Sequence, residues 1–179
     1  IVQINEAGQV IWNWYAYNHL DLNVCGRGTC RYNDWTHMNT VSILPENKWY
    51  KLGHNEFKPG NLLIMPRSWS TAMIIDKETK NIVWTYEGDY KGGLDRSHEP
   101  QMIEEGLPGA GNIIIFDNGV NLHKHNSFIL EINPVTKKIV WKYEAPDFHS
   151  RTRGAVQRLP NGNTLISEDN KGRCFEVTP

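Results

Sequence analysis

Three copies of one short pattern, Gly-Asn followed by apolar residues, divide this chain at equal intervals and restrict what it can fold into. They are Gly60-Asn61-Leu62-Leu63-Ile64, Gly111-Asn112-Ile113-Ile114-Ile115 and Gly162-Asn163-Thr164-Leu165-Ile166, 51 residues apart each time (60 to 111, 111 to 162). A fixed period of that size marks a repeated supersecondary unit. A second mark runs in step with it: Ile75-Asp76 through Val83-Trp84, and Ile132-Asn133 through Val140-Trp141. A copy one residue shorter, Ile4-Asn5 to Ile11-Trp12, opens the chain. Each reads as two short strands joined by a tight polar turn.

Every full unit therefore holds four strands. The first is Thr40-Val41-Ser42-Ile43-Leu44, Gln101-Met102-Ile103 or Ala155-Val156-Gln157-Arg158-Leu159. The second is the Gly-Asn strand, the third ends in Ile-Asp or Ile-Asn, and the fourth carries Val-Trp. Four strands per repeat of roughly 40–50 residues is the pattern of a β-propeller blade. The expected fold is all-β, with four-stranded antiparallel blades. Residues 1–14 end one blade, 15–39 form a long connection, 40–86 and 98–143 are complete blades, and 155–179 supply three strands of another. That is about three blade-equivalents, whereas closed propellers take roughly 4–8. Two arrangements resolve the count. The chain is a segment of a longer propeller, or two copies associate and each N-terminal Val-Trp strand completes the partner's last blade. The segment is the simpler expectation, since Ile1-Val2-Gln3-Ile4 already alternates like a strand and reads as a mature or excised piece.

Charge excludes some functions. Nineteen basic and 20 acidic residues give a formal charge of −1, which makes no electrostatic case for nucleic acid or an anionic membrane. No apolar run approaches the roughly 18 residues needed to span a bilayer, and no basic-then-apolar leader opens the sequence. Cys25 and Cys30, in Cys25-Gly26-Arg27-Gly28-Thr29-Cys30, fit a small disulfide loop in an oxidising compartment. The alternative is two free thiols. A zinc site needs further ligands at suitable spacing, and none is evident. Cys174, within Arg173-Cys174-Phe175-Glu176-Val177, reads as a small buried strand residue.

Three residues fall where a blade's inner strand meets the central channel. His37 lies in Asp34-Trp35-Thr36-His37-Met38-Asn39-Thr40, and His98 holds the matching place in Ser97-His98-Glu99-Pro100-Gln101. Arg67 follows the first Gly-Asn strand. Two imidazoles and a guanidinium make a receptor for a tetrahedral oxyanion, with one histidine free as nucleophile. The competing reading is structural: histidines that bond neighbouring backbone, and Arg67 in a surface ion pair. His123 and His125 share a face if extended, but without a third ligand they read as solvated loop residues. His19, His54 and His149 have no supporting pattern.

The segments Asp34 to Val41, Gly106 to Asn112 with Phe116-Asp117-Asn118-Gly119, Gln157 to Ile166 and Gly172 to Thr178 together resemble the arylsulfotransferase (aryl-sulfate sulfotransferase) family. The resemblance covers nearly the whole chain in the right order. It implies a six-bladed propeller, exported to the periplasm or outside the cell, that moves a sulfuryl group from an aryl sulfate donor to a phenolic acceptor. It implies no nucleotide sulfate donor; no cofactor and no metal are expected. His98 matches the family's nucleophilic histidine, sulfated during a ping-pong reaction, while His37 and Arg67 match residues that hold the sulfuryl oxygens. Trp35 and Asn39, in the same motif as His37, are expected to line the substrate. One further histidine of the family, from an earlier blade, would precede Ile1, and Glu99 places a carboxylate beside the expected nucleophile. Two other readings stay open. One is a non-catalytic propeller that binds a partner; the weaker is a quinone-dependent propeller dehydrogenase, which would need a calcium site not seen in the sequence.

Overall fold

In the computed structural model, residues 1–24, 34–123 and 126–179 are described. The Gly-Asn motif forms the same backbone device three times. The amides of Leu44, Ile103 and Leu159 donate to the carbonyls of Asn61, Asn112 and Asn163 at 2.8–2.9 Å, and those of Gly60, Gly111 and Gly162 donate back to the same three residues. The three glycines sit at φ of +89°, +85° and +91°, where a side chain would be strained. Loops of very different length thus return to one register. The apolar residues after each motif then run as strands.

With the other strands they build four antiparallel sheets among the described residues. A hairpin of β1 (Val2–Ile4) and β2 (Val10–Asn13) comes first. Next is a four-stranded sheet of β3 (Met38–Ile43), β4 (Leu62–Pro66), β5 (Ala72–Ile75) and β6 (Ile82–Tyr86). A second holds β7 (His98–Met102), β8 (Ile113–Asp117), β9 (Phe128–Ile132) and β10 (Ile139–Tyr143). Three strands follow: β11 (Ala155–Arg158), β12 (Thr164–Glu168) and β13 (Arg173–Val177). Within each sheet the strands pair in chain order. The turns from third to fourth strand also repeat: Asp76 Oδ1 accepts from the amides of Glu78 and Thr79, and Asn133 Oδ1 from those of Val135 and Thr136. A side-chain oxygen of Asp or Asn closing such a turn explains the Ile-Asp and Ile-Asn signature.

The sheets stack in sequence. One apolar cluster (Leu63, Met65, Ile74, Trp84, Ile113, Phe128, Leu130) lies between the two four-stranded sheets. A second, with Ile114, Phe116, Phe148, Val156 and Ile166, joins β7–β10 to β11–β13. A third sets Trp14 and the first hairpin against Ile64, Met73 and Ile75. Strands β4, β5, β8 and β9 are buried on both faces, so they read as continuous apolar runs, while β6 alternates. Each fully buried Ile or Leu contributes roughly 1.5–3 kcal/mol. The Val-Trp signature acts between sheets. Trp12 Nε1 donates to the Lys77 carbonyl and Trp84 Nε1 to the Pro134 carbonyl, both at 2.9 Å and both into the third-to-fourth turn of the next sheet.

Two expectations are corrected. Cys174 is exposed, since it is Phe175 and Val177 of β13 that pack against the second apolar cluster. His123 is buried, its Nε2 3.1 Å from Asp117 Oδ2, so it is no solvated loop residue. Cys25, Cys30 and His125 lie outside the described residues.

Candidate active site

The site assembles where the heads of β3 and β7 meet. The Arg67 amide donates to the His37 carbonyl at 3.1 Å and the Ser68 amide to the Thr36 carbonyl at 3.2 Å. These two bonds sew the Asp34–His37 segment to the short 3-10 turn Arg67–Trp69 that ends β4. Four more bonds pin the head of β7 to the first blade. Asn39 Nδ2 donates to the Ser97 carbonyl at 3.0 Å, and Ser42 Oγ to the Pro100 carbonyl at 3.0 Å. The Glu99 amide donates to Thr40 Oγ1 and the Arg96 amide to Ser70 Oγ, each at 3.1 Å. His37, Arg67 and His98 are thereby brought to one rim by backbone geometry.

Strain gathers at this junction. His37, Ser70, Arg96 and Glu99 all have positive φ, between 45° and 58°. For residues with a side chain that costs about 1 kcal/mol each, and such conformations concentrate at functional sites. At Glu99 the cause is visible. The register of β7 against β8 slips between His98 and Gln101, and this bulge turns Glu99 into a groove shared with Gln101, Val156 and Cys174. Burial there pushes the Glu99 carboxyl up, toward its neutral form. Glu99 lines that groove, whereas His98 does not.

His98 is half-buried. Desolvation is the main cause that lowers its pKa; the positive charges of Arg67 and His37 add to it, while hydrogen bonding to Asn118 and to the Arg96 backbone opposes it. The imidazole is therefore kept neutral, with a lone pair to offer. Its Nδ1 lies 2.6 Å from Asn118 Oδ1. His37 pairs through Nδ1 with the Asp34 carboxylate and stays exposed. Among the described residues Arg67 makes no surface ion pair, and its Nε is buried without a hydrogen-bond partner. Desolvation, then the neighbouring Arg96 charge, lowers its pKa. A buried N–H with no acceptor is costly, and an incoming oxyanion would remove that cost.

Asn39 spends its amide on Ser97, and its Oδ1 accepts from Thr40, so it braces the junction. Trp35 sits edge-on to Trp69, ring centroids 5.6 Å apart, and donates to the Val24 carbonyl. Sequence reasoning missed three participants. Asp117 is buried, with its Oδ1 accepting from Ser97 Oγ and the Asp95 amide, and its Oδ2 facing His123, which locks the approach to β7. Burial pushes the Asp117 carboxyl up; for His123 burial acts to lower the pKa, but Asp117, together with the Asp95 charge and the Gly93 backbone, raises it. Arg96 adds positive charge beside Arg67. Asn118 stands 51 positions after Arg67, in the same place of the next repeat, and that correspondence was a usable signal.

Stacked antiparallel sheets of up to four strands, each paired in chain order, make this an all-β protein of propeller-like architecture. The fold likeness is general. A WD40 β-propeller domain of Doa1 superimposes with a TM-score of 0.51 at 10% identity, over 79% of this chain and 37% of that one. A protein of unknown function from Bacteroides caccae gives 0.50 at 14% identity, over 99% of this chain and 53% of that one. The chain thus spans about half or less of these structures' length. A search among curated proteins returns no match. The chain belongs to the arylsulfotransferase (ASST) family, whose model matches residues 1–179.

Proposed function

We propose that this chain carries the sulfuryl-transfer site of an aryl-sulfate sulfotransferase, with His98 as the nucleophile. The observation that carries the reading is the junction itself: His98, whose pKa burial lowers, beside a half-buried Arg67 whose Nε lacks a partner among the described residues, with His37 on the same rim. In the first step the His98 lone pair attacks sulfur, the sulfur–oxygen bond to the aryl group breaks, and the phenolate leaves with that electron pair. Arg67 and His37 hold the three sulfuryl oxygens through charge-assisted hydrogen bonds. In the second step a phenol oxygen attacks the same sulfur, the N–S bond breaks and its pair returns to His98. The proton lost by the acceptor equals the one taken up by the departing phenolate, and His37, oriented by Asp34, is placed to carry it. No redox partner or nucleotide is required. Transfer of this kind depends on positioning and positive charge more than on covalent chemistry, as in phosphoryl transfer.

The reading includes the rest of a six-bladed ring and an exported protein, periplasmic or extracellular, where a Cys25–Cys30 disulfide would persist. The test is incubation of the full-length protein with an aryl sulfate and a phenol acceptor, alongside His98→Ala. A mass increase of one sulfuryl group on the His98 peptide, absent in the variant, is the expected result. Phenol release that continues unchanged in the variant would remove His98 from the role. No turnover on a panel of donors would favour a binding module.

A further inference from the structure

We infer that Asn118 is a positioning residue that fixes the tautomer of His98, holding the proton on Nδ1 and presenting Nε2 as the attacking nitrogen; the chemical consequence rests on the proposed sulfuryl transfer, but the tautomer does not. The argument starts from the other end of the Asn118 side chain. Its Nδ2 donates to two backbone carbonyls of the loop before β11, Ser150 at 2.7 Å and Arg153 at 2.6 Å. An amide nitrogen has two hydrogens, and both are used. The flipped amide would set Oδ1 against those same two carbonyl oxygens, acceptor against acceptor, so the orientation is decided by the neighbours. Oδ1 is therefore the atom 2.6 Å from His98 Nδ1. An amide oxygen only accepts, hence Nδ1 carries the hydrogen and Nε2 the lone pair.

The side chain is itself rigidly held. Asn118 is fully buried, its carbonyl accepts from Ser127 Oγ at 3.0 Å, and Ser127 Oγ in turn accepts from the Ser150 amide at 2.9 Å. Gly119 beside it has φ of +62°, and a Cβ there would lie 1.8 Å from the Asn126 carbonyl oxygen. The chain is thus forced to turn immediately after Asn118. Arg67 occupies the equivalent place one repeat earlier, so corresponding positions divide the work: one holds the anion, the next orients the nucleophile. The groups acting on the ring are Asn118, the Arg96 carbonyl, and the positive charges of Arg67 and His37.

The experiment is two-bond proton–nitrogen NMR on the ¹⁵N-histidine-labelled full chain, with His98 assigned by comparison with His98→Gln. Above the His98 pKa, Nδ1 is expected at the protonated-nitrogen position and Nε2 at the lone-pair position; the reverse pattern overturns the inference. Asn118→Ala should average the two nitrogen signals and lower kcat by on the order of a hundredfold with little change in donor KM, as expected for a wrong tautomer. Asn118→Asp retains an acceptor oxygen but puts a negative charge beside the ring, so the acid limb of the rate profile should move to higher pH. An acid limb that stays put, in a variant that still folds by its NMR spectrum, speaks against contact with His98. The two proposals separate cleanly. The predicted tautomer without transfer to any acceptor removes the sulfotransferase and leaves Asn118 its role; transfer with the opposite tautomer does the reverse.

Discussion

Burial, which withdraws water from the charged ring, together with the nearby charge of Arg67 favours the neutral form of His98. A lowered pKa means the neutral form persists to lower pH. The acid limb of kcat/KM should therefore fall below 6.5, the ordinary histidine value. For the proposed transfer a pH–rate profile measures it, and a midpoint above that value would argue for a protonated His98 in the resting protein. Arg67 offers a fork of donors that lysine cannot copy. Arg67→Lys should cost about a hundredfold in kcat/KM, a loss typical of one oxyanion donor, with folding intact by circular dichroism. Retained activity would mean that its unpartnered Nε faces something other than substrate.

At the level of elements, the recurring turns and latches make testable units. A Cβ at Gly154 would lie 2.8 Å from three ring atoms of the fully buried Phe116, and φ there is +115°. Gly154→Ala should lose about 1–3 kcal/mol by overpacking, read from urea unfolding of the full chain. Trp84→Phe removes the latch to Pro134 and strands a buried carbonyl, a loss of about 1–3 kcal/mol on the same assay. The strands behind these latches were legible in the sequence. Gly60, Gly111 and Gly162 announce a positive φ, and the apolar runs after them announce two covered faces. His123 and Cys174 were not legible, since the burial of each depends on which loop or sheet lies opposite. Local pattern carries no information about that.

Across the whole molecule, charge clusters tie together segments far apart in the chain. Lys142 and Lys91, by hydrogen bonds, bring Glu144 down from 4.5 to about 2 and so link β10 to the loop before β7. A carboxyl with a depressed folded pKa stabilises above its unfolded value, and that stability fades as pH falls through the folded one. Thermal melts should lose this contribution between about 4.5 and about 2, and Glu144→Gln should flatten the slope there. The cluster is solvent-exposed, so added salt should shrink the difference. By contrast the Arg158–Glu131 pair, 2.5 Å apart and almost wholly buried, bridges the last two sheets. Glu131→Ala leaves an unpaired guanidinium inside and should cost about 3–5 kcal/mol at any salt concentration.

The sequence alone determined the repeat and the strand order, because turn chemistry and apolar runs act between near neighbours, and it singled out His37, Arg67 and His98 as candidates. The motif around them was also enough to place the chain in its family. Tertiary structure decided what those residues can do. Only the meeting of separate loops sets Asn118 against His98, places Glu99 in its groove and leaves Arg67 half-buried with an unused donor. Each of these depends on groups brought together from different repeats, and desolvation and hydrogen-bond direction exist only once the sheets have stacked.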